Sequence, residues 1–129
     1  MTNLERRQAI AAINDEYRLN LAESGCGEVF MSPGVQSLLM ALPTFEFLVE
    51  HMRLIDIVAT FEHGDSATDG DKRDFGLFSW RGEQCCWKFD YLDEHGTGLS
   101  RDPGNASVTR RIVTIMLFGE FGRIDSPTL

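Results

Sequence analysis

Apolar side chains at helical spacing mark the first part of the chain. Between Thr2 and Leu21 they recur every three or four positions, and charged side chains lie between them. Thr2 and Glu5 have the spacing of a capping box, and Gly25 and Gly27 follow the last apolar position. The pattern therefore predicts an N-terminal amphipathic helix. Its apolar positions are Ile10, Ile13, Tyr17 and Leu21.

A short strand and a second helix are predicted next. Residues 28–33 (EVFMSP) resemble a strand that ends at Pro33-Gly34. After Pro43 the spacing is again helical, and the apolar positions are Phe45, Leu48, Val49 and Met52. From Leu54 the pattern changes to alternation, which favours a strand over 54–62; the end of a long helix is the alternative.

Residues 74–92 predict a β-hairpin. Two aromatic-rich arms, DFGLFSW and QCCWKFDYL, flank the short turn sequence RGE. In the second arm one face would carry Cys85, Trp87, Phe89 and Tyr91. A wholly apolar face is typical of a sheet that packs on helices, so these aromatic residues are predicted to be core strands.

The last segment, VTRRIVTIMLFGEF, predicts a C-terminal helix that begins near Asn105 or Ser107. Its apolar stripe would comprise Val108, Ile112, Ile115 and Met116. Together these elements predict one α+β domain over residues 1–129, with an antiparallel sheet of three to five strands and helices packed on one face. The other face of the sheet is predicted to be polar and acidic, framed by loops at 62–74 and 93–104.

Composition and cysteine usage limit the protein class. The chain has 43% hydrophobic and 25% charged residues, which is ordinary for a globular domain. Of three cysteines, Cys85 and Cys86 are adjacent, which argues against a disulfide framework and for a reducing compartment, the cytoplasm. The longest apolar run, residues 35–49, is interrupted by Pro43 and Glu46, so no membrane partner is predicted.

The formal net charge of −8 bears on the partners. Affinity for a phosphate backbone comes mainly from Lys and Arg, so direct nucleic-acid binding is disfavoured. An acidic surface can instead bind a basic protein surface, including one that normally holds nucleic acid.

Several motifs resemble a bacterial protein family. These are Asp74-Phe75-Gly76, the run Trp87–Tyr91 with Asp93 behind it, Asp102-Pro103, the segment VTRRIVTIML, and the N-terminal INDEYR. In this order they are similar to domain-of-unknown-function family 3768. The resemblance implies a small protein of the kind found on mobile elements, and it implies no activity. Where relatives tend to have an acid and a His before the Asp-Phe-Gly, this chain has Lys72 and Arg73.

No metal or cofactor is predicted from the candidate ligands. Asp65, Asp69 and Asp71 surround Gly70, but the loop lacks the bidentate Glu that a calcium loop needs at its twelfth position. The three cysteines lack the spacing of a zinc site.

Two groups of residues are candidates for chemistry. His63 and His95 both follow or precede acidic residues, and they would form a carboxylate–imidazole cluster if their loops meet. Asp90 lies mid-strand and requires either solvent or a base, for which Arg110 and Arg111 are candidates.

Two classes of function follow from these patterns. The first is a non-enzymatic protein-binding protein, in its sharpest form an inhibitor of host defence (anti-CRISPR or anti-restriction), whose acidic residues bind a basic partner. The predicted binding residues are Glu62, Asp65, Asp69, Asp71, Asp74, Asp93 and Glu94. The alternative class is a small cytoplasmic enzyme that uses His63 or His95. A third interpretation is a homodimer formed by aromatic and Met side chains left outside the core.

Overall fold

The computed structural model describes residues 2–23, 27–63 and 71–122. These residues form three helices and a four-stranded sheet, so the predicted α+β class is confirmed. The helices are α1 (Asn3–Glu23), α2 (Pro33–Met40) and α3 (Thr44–Ala59). The strands are β1 (Val29–Met31), β2 (Phe75–Trp80), β3 (Glu83–Asp93) and β4 (Thr109–Leu117).

The sheet is mixed, which corrects the prediction of an antiparallel sheet. Its strand order is β1-β4-β3-β2; β2, β3 and β4 pair antiparallel, whereas β1 runs parallel to β4. A parallel pair needs a long crossover connection, and here the chain between β1 and β4 includes α2, α3 and the hairpin. The three residues of β1 are too few to show whether the strand pairs parallel or antiparallel, so the sequence pattern did not predict the parallel pair.

The hairpin of β2 and β3 is confirmed. The pairing runs from Phe75–Lys88 to Trp80–Glu83, and Arg81 and Gly82 make the two-residue turn. Both turn residues have positive φ, at 50° and 82°, as a type I′ turn requires.

The predicted C-terminal helix is wrong, because this segment is strand β4. It lies between β1 and β3, and every residue from Arg111 to Met116 is buried. A central strand covered on both faces has a continuous apolar run rather than strict alternation. Such a run also contains residues at helical spacing, and the β-branched residues Ile112–Ile115 are what distinguishes it.

The predicted strand over 54–62 is also wrong, because α3 continues to Ala59. Leu54 and Val58, four residues apart, are fully buried on the same side of the helix. The helix α2 was not predicted. Pro33 begins it instead of ending β1 in a turn, since Pro is favoured in the first helical turn and the Ser32 hydroxyl accepts a hydrogen bond from the Val35 N–H (3.2 Å).

One buried cluster joins the helices to the sheet. Its centre is Trp87, which is 0% exposed and makes edge contacts with Phe61 and Phe89 at ring distances of 5.4 and 5.9 Å. The aromatic residues of β3 are therefore core residues, as predicted. The cluster comprises Leu21 of α1, Val35 and Leu39 of α2, Leu54 and Val58 of α3, and Trp80, Cys85, Trp87, Phe89, Val113 and Ile115 of the strands. The packing of the helices on one face stays a prediction.

The opposite face of the sheet is more apolar than predicted. Neighbouring positions in β3 and β4 place Cys86 beside Met116 there, and both side chains are fully buried. Lys88 is also nearly buried on this face, where its Nζ donates to both carboxylate oxygens of Asp90 at 2.8 Å. Among the β3 residues of this face, Gln84, Lys88 and Asp90 are polar, and Asp90 is the one acid.

The two buried thiols lead to a testable expectation. Burial raises the pKa of Cys85 and of Cys86 to about 11 each, so both are protonated and shielded near neutral pH. At pH 8 we expect iodoacetamide to alkylate both residues in urea but neither in the folded protein, as measured by peptide mass spectrometry. Native labelling at the rate of a free thiol would contradict the structure.

The raised pKa values of the two thiols predict how the stability of the fold changes with pH. An unfolded thiol loses its proton near pH 8.5, whereas the folded thiols keep theirs to higher pH. Their contribution to stability is therefore complete below about pH 8.5 and is lost as the pH rises towards the folded pKa.

Candidate functional site

A buried polar network at one end of the sheet is centred on Asn14 of α1. This side chain is 0% exposed. Its Nδ2 donates to the Lys72 carbonyl (3.0 Å) and to the Tyr91 hydroxyl (2.9 Å), and its Oδ1 accepts from Arg111 Nε (2.7 Å). One amide therefore joins α1 to the segment before β2 and to strands β3 and β4.

Tyr91 is held as a hydrogen-bond donor in this network. Its hydroxyl donates to Asp74 Oδ2 (2.9 Å), and the guanidinium of Arg111 lies 5.1 Å from its ring centroid. Burial raises the pKa of Tyr91 well above its usual value, so the phenol stays protonated. Arg111 also donates to the Pro103 carbonyl, and burial lowers its pKa. These contacts fix positions rather than prepare a base or a nucleophile.

A second buried cation, Arg18, ties α1 to the end of α3. Its Nη1 donates to the carbonyls of Val58 and Phe61, each at 2.9 Å, and its guanidinium lies 5.2 Å from the Trp87 ring centroid. The Val58 carbonyl belongs to the last turn of α3, where helix carbonyls lack partners within the helix. Arg18 therefore caps α3 from the neighbouring helix.

His63 lies against this cluster. Its ring contacts Phe61 and Trp87 at centroid distances of 5.0 and 5.8 Å. Burial lowers the pKa of His63, and the nearby Arg18 adds to the effect, so the imidazole is neutral at pH 7. His95, by contrast, is exposed on the turn after β3, with its Nε2 4.0 Å from Glu94. The two histidines of the enzyme hypothesis thus lie in different surroundings, one packed on aromatic rings and one in solvent.

The predicted acidic binding residues divide into three groups. Asp71, Asp74 and Asp93 bond within the chain: Asp71 accepts from the Arg73 N–H (2.7 Å), Asp74 from Tyr91, and Asp93 from the N–H groups of His95 and Thr97, each at 3.0 Å. Glu62 and Glu94 are exposed. Asp65 and Asp69 lie outside the described residues, as does most of the suggested calcium loop. Three of the five described acids therefore accept hydrogen bonds within the chain, and binding of a partner protein through the acidic residues stays a prediction.

Asp90 is paired, but its base was not among the candidates. Lys88 contacts it within β3, whereas Arg110 binds Glu28 at 2.6 and 2.7 Å and Arg111 binds Asn14. The i,i+2 spacing of Lys88 and Asp90 places them on the same side of a strand, and this is the signal that identifies the pair.

The exposed side of α3 carries the apolar positions that the helical spacing identified. We define the α3 apolar face as Phe45, Leu48, Val49 and Met52, which are 77%, 54%, 38% and 70% exposed. The helix buries its other side through Leu54 and Val58. The helical spacing was recognised correctly, but α3 is apolar on two sides and the pattern does not show which one faces the core.

A separate cleft of about 290 Å³ adjoins α3 at Phe47 and His51, which are not members of the α3 apolar face. It separates β1, α2 and α3, and its lining includes Phe30, Met40, Phe47 and His51. Phe30 and Met40 are themselves more than half exposed, and the Phe47 and His51 rings stack at 5.9 Å. The structure therefore also exposes apolar side chains outside α3.

A family model described as "Protein of unknown function (DUF3768)" matches residues 31–120, which is more than half of the chain. The chain belongs to the DUF3768 family. No curated protein and no solved structure matches it. The resemblance seen in the sequence motifs is thereby confirmed, while association with mobile elements stays a prediction.

The DUF3768 match covers only part of the candidate sites. It includes the α3 apolar face, the hairpin and β4, and it includes Tyr91 and Arg111 of the polar network. Helix α1 lies before it, so Asn14 and Arg18, the α1 members of the two buried polar clusters, are outside the matched residues. In this DUF3768 protein Lys72 and Arg73, which precede the Asp-Phe-Gly, contact α1: Arg73 binds Asp15 at 2.8 to 3.0 Å.

The described part of this DUF3768 protein provides no cluster of three or more His, Cys, Asp or Glu side chains that would hold a metal ion. Within residues 2–23, 27–63 and 71–122, no helix combines the length and the apolar character needed to cross a bilayer.

Proposed function

We propose that this DUF3768 protein acts without catalysis, by binding a protein surface through the α3 apolar face. The observation that carries the proposal is the exposure of four large apolar side chains on one side of a helix whose other side forms the core. Exposed apolar residues are common when scattered, but a contiguous group is typical of an interaction site.

The polar groups of the chain support binding over catalysis. The hydroxyl of Tyr91 and the guanidinium groups of Arg18 and Arg111 make hydrogen bonds between segments, while Arg18 Nε and Arg111 Nη1 are buried without a hydrogen-bond partner among the described residues. Burial keeps the Tyr91 phenol protonated and the His63 imidazole neutral, and His63 lies on aromatic rings rather than beside a nucleophile. A general base needs a reacting group within hydrogen-bond reach.

A more specific version of this proposal is that the protein inhibits a host defence system. Its support is the net charge of −8 and the exposure of Glu62 and Glu94, which lie outside the α3 apolar face. A basic partner would add electrostatic steering to a contact made by apolar side chains. The identity of the bound protein in the experiment below tests this form, since it requires a partner with a basic, nucleic-acid-binding surface.

Photo-crosslinking tests the proposal with a matched control. Leu48 on α3 and Leu19 on α1 are exposed to the same degree, 54% and 53%. Each is replaced in turn by p-benzoylphenylalanine, and intact cells that produce the variant are irradiated. We expect a discrete covalent adduct from position 48 and none from position 19. Absence of an adduct at 48, or equal adducts at both positions, would contradict binding through α3.

A further inference from the structure

We infer that the α3 apolar face binds the same face of a second copy of this chain, with the two α3 helices antiparallel. This inference rests on the proposed function and names its partner. A two-fold symmetric contact requires a surface that is complementary to itself, so that each pair of contacts occurs twice. The side chains along α3 meet this requirement in three respects: apolar spacing, flanking charges and the helix ends.

The apolar residues have the spacing of a helix–helix seam. Phe45, Leu48 and Met52 follow each other at intervals of three and four residues, as in antiparallel helix pairs. If the two-fold axis passes between Leu48 and Val49, Phe45 of one copy lies opposite Met52 of the other. Leu48 then lies opposite Val49 of the second copy, so large side chains meet along the whole seam.

The charges beside the seam favour the antiparallel direction. Glu46 and Arg53 are exposed and seven residues apart, so they lie on the same flank of the helix at opposite ends of the seam. In an antiparallel pair each Glu46 lies near Arg53 of the second copy, and symmetry makes this ion pair twice. In a parallel two-fold pair these flanks would lie on opposite sides of the seam, so Glu46 of one copy would not meet Arg53 of the other. Arg53 contacts Glu50 of its own helix through Nε at 2.9 Å, and its guanidinium has further N–H donors for the second carboxylate.

The ends of α3 are complementary in the same arrangement. The helix begins at Thr44 after Pro43, which makes no side-chain capping hydrogen bond to the first N–H groups. Asp56 is exposed and lies one turn beyond Met52, on the side of the helix that carries the seam. In the antiparallel pair it reaches the first turn of α3 in the second copy. A carboxylate is favoured there, since the amino end of a helix carries partial positive charge.

The size of the α3 apolar face limits the affinity of the dimer. A stable interface buries about 1,200 Å² or more in total, which exceeds two turns of a single helix. We therefore expect a dimer of moderate affinity, with a Kd of roughly 1–100 µM.

Sedimentation velocity across a concentration series measures the association directly. We expect wild-type protein to form dimers in the micromolar range and Leu48→Asp to raise the Kd at least tenfold. Leu19→Asp, the matched control on α1, should leave the Kd unchanged. Circular dichroism verifies that both variants are folded. Loss of the dimer in Leu19→Asp but not in Leu48→Asp would overturn the inference.

A charge exchange tests the direction of pairing. Glu46→Arg and Arg53→Glu each place like charges together in the antiparallel dimer, so each alone should weaken association. The double variant restores opposite charges across the interface, and its Kd should return towards the wild-type value. If the double variant is weaker than both single variants, the antiparallel register is wrong.

Different experimental results would contradict the dimer and the proposed function. If wild-type protein remains monomeric at millimolar concentration while position 48 crosslinks to a different protein, the second copy is the wrong partner and binding through α3 stands. If position 48 crosslinks to nothing, both are overturned. An adduct of twice the chain mass, identified as a self-crosslink by mass spectrometry, supports both.

Discussion

Replacing Asn14 with leucine is expected to lower the free energy of unfolding by about 3 kcal/mol or more. The change preserves approximate shape but removes one acceptor and two donor contacts. The buried guanidinium of Arg111 loses the Asn14 oxygen at 2.7 Å, and the Lys72 carbonyl and Tyr91 hydroxyl lose the amide donor. Buried polar groups without partners cost the most when one of them is charged. Urea denaturation followed by circular dichroism measures the loss.

Two further variants distinguish the loss of the Asn14 hydrogen bonds from a general effect of changing a side chain on α1. Asn14→Asp keeps an oxygen for Arg111 and adds a countercharge, so we expect it to destabilise less than Asn14→Leu. Gln8→Leu, at an exposed position of the same helix, should change stability by less than about 0.5 kcal/mol. A loss below about 1 kcal/mol for Asn14→Leu would mean that the hydrogen bonds around Asn14 contribute little.

Gly76→Ala is expected to destabilise the protein by about 2–3 kcal/mol. A Cβ at this position would lie 2.3 Å from Trp87 Nε1 and 2.7 Å from Phe61 Cζ. The Trp87 ring cannot move easily, because it is fully buried and also contacts Phe89 and Arg18. The glycine of the Asp-Phe-Gly motif is therefore required for packing against Trp87. The measurement is again the free energy of unfolding in urea.

A double-mutant cycle identifies Trp87 as the cause. Trp87→Phe creates space opposite position 76, so adding Gly76→Ala to it should cost less than Gly76→Ala does in the wild type. Gly119→Ala is the control, since nothing lies within 4 Å of a Cβ there. Additive losses in the cycle would show that the alanine does not clash with Trp87.

Side-chain contacts were harder to predict from the sequence pattern than the helices and strands. Asp74 and Asp93 were predicted as binding residues because acids can bind a basic partner, and the structure adds that both accept hydrogen bonds within the chain; binding through them stays a prediction. Asn14, which joins four segments, carried no signal, since a lone Asn on a helix looks the same whether it is buried or exposed. Its role depends on Lys72, Tyr91 and Arg111, which are distant in sequence.

The sequence by itself determined the features that depend on neighbouring residues. The helix α1 follows from its apolar spacing, the start of α3 from Pro43, and the hairpin from two aromatic arms around a short turn. The resemblance to DUF3768 also came from local motifs, and the family match confirms it. Periodicity and turn chemistry act over a few residues, so a single sequence is enough to show them.

Only the tertiary structure decided which side of each element is buried and how the strands pair. β4 is a strand because β1 and β3 flank it and both of its faces are covered, whereas its apolar positions alone fit a helix equally well. In α3 the apolar residues lie on two sides, and contacts with the core selected Leu54 and Val58 over Phe45 and Met52. Burial is a property of the assembled chain, because apolar side chains compete for the same core and the packing geometry determines which of them enter it.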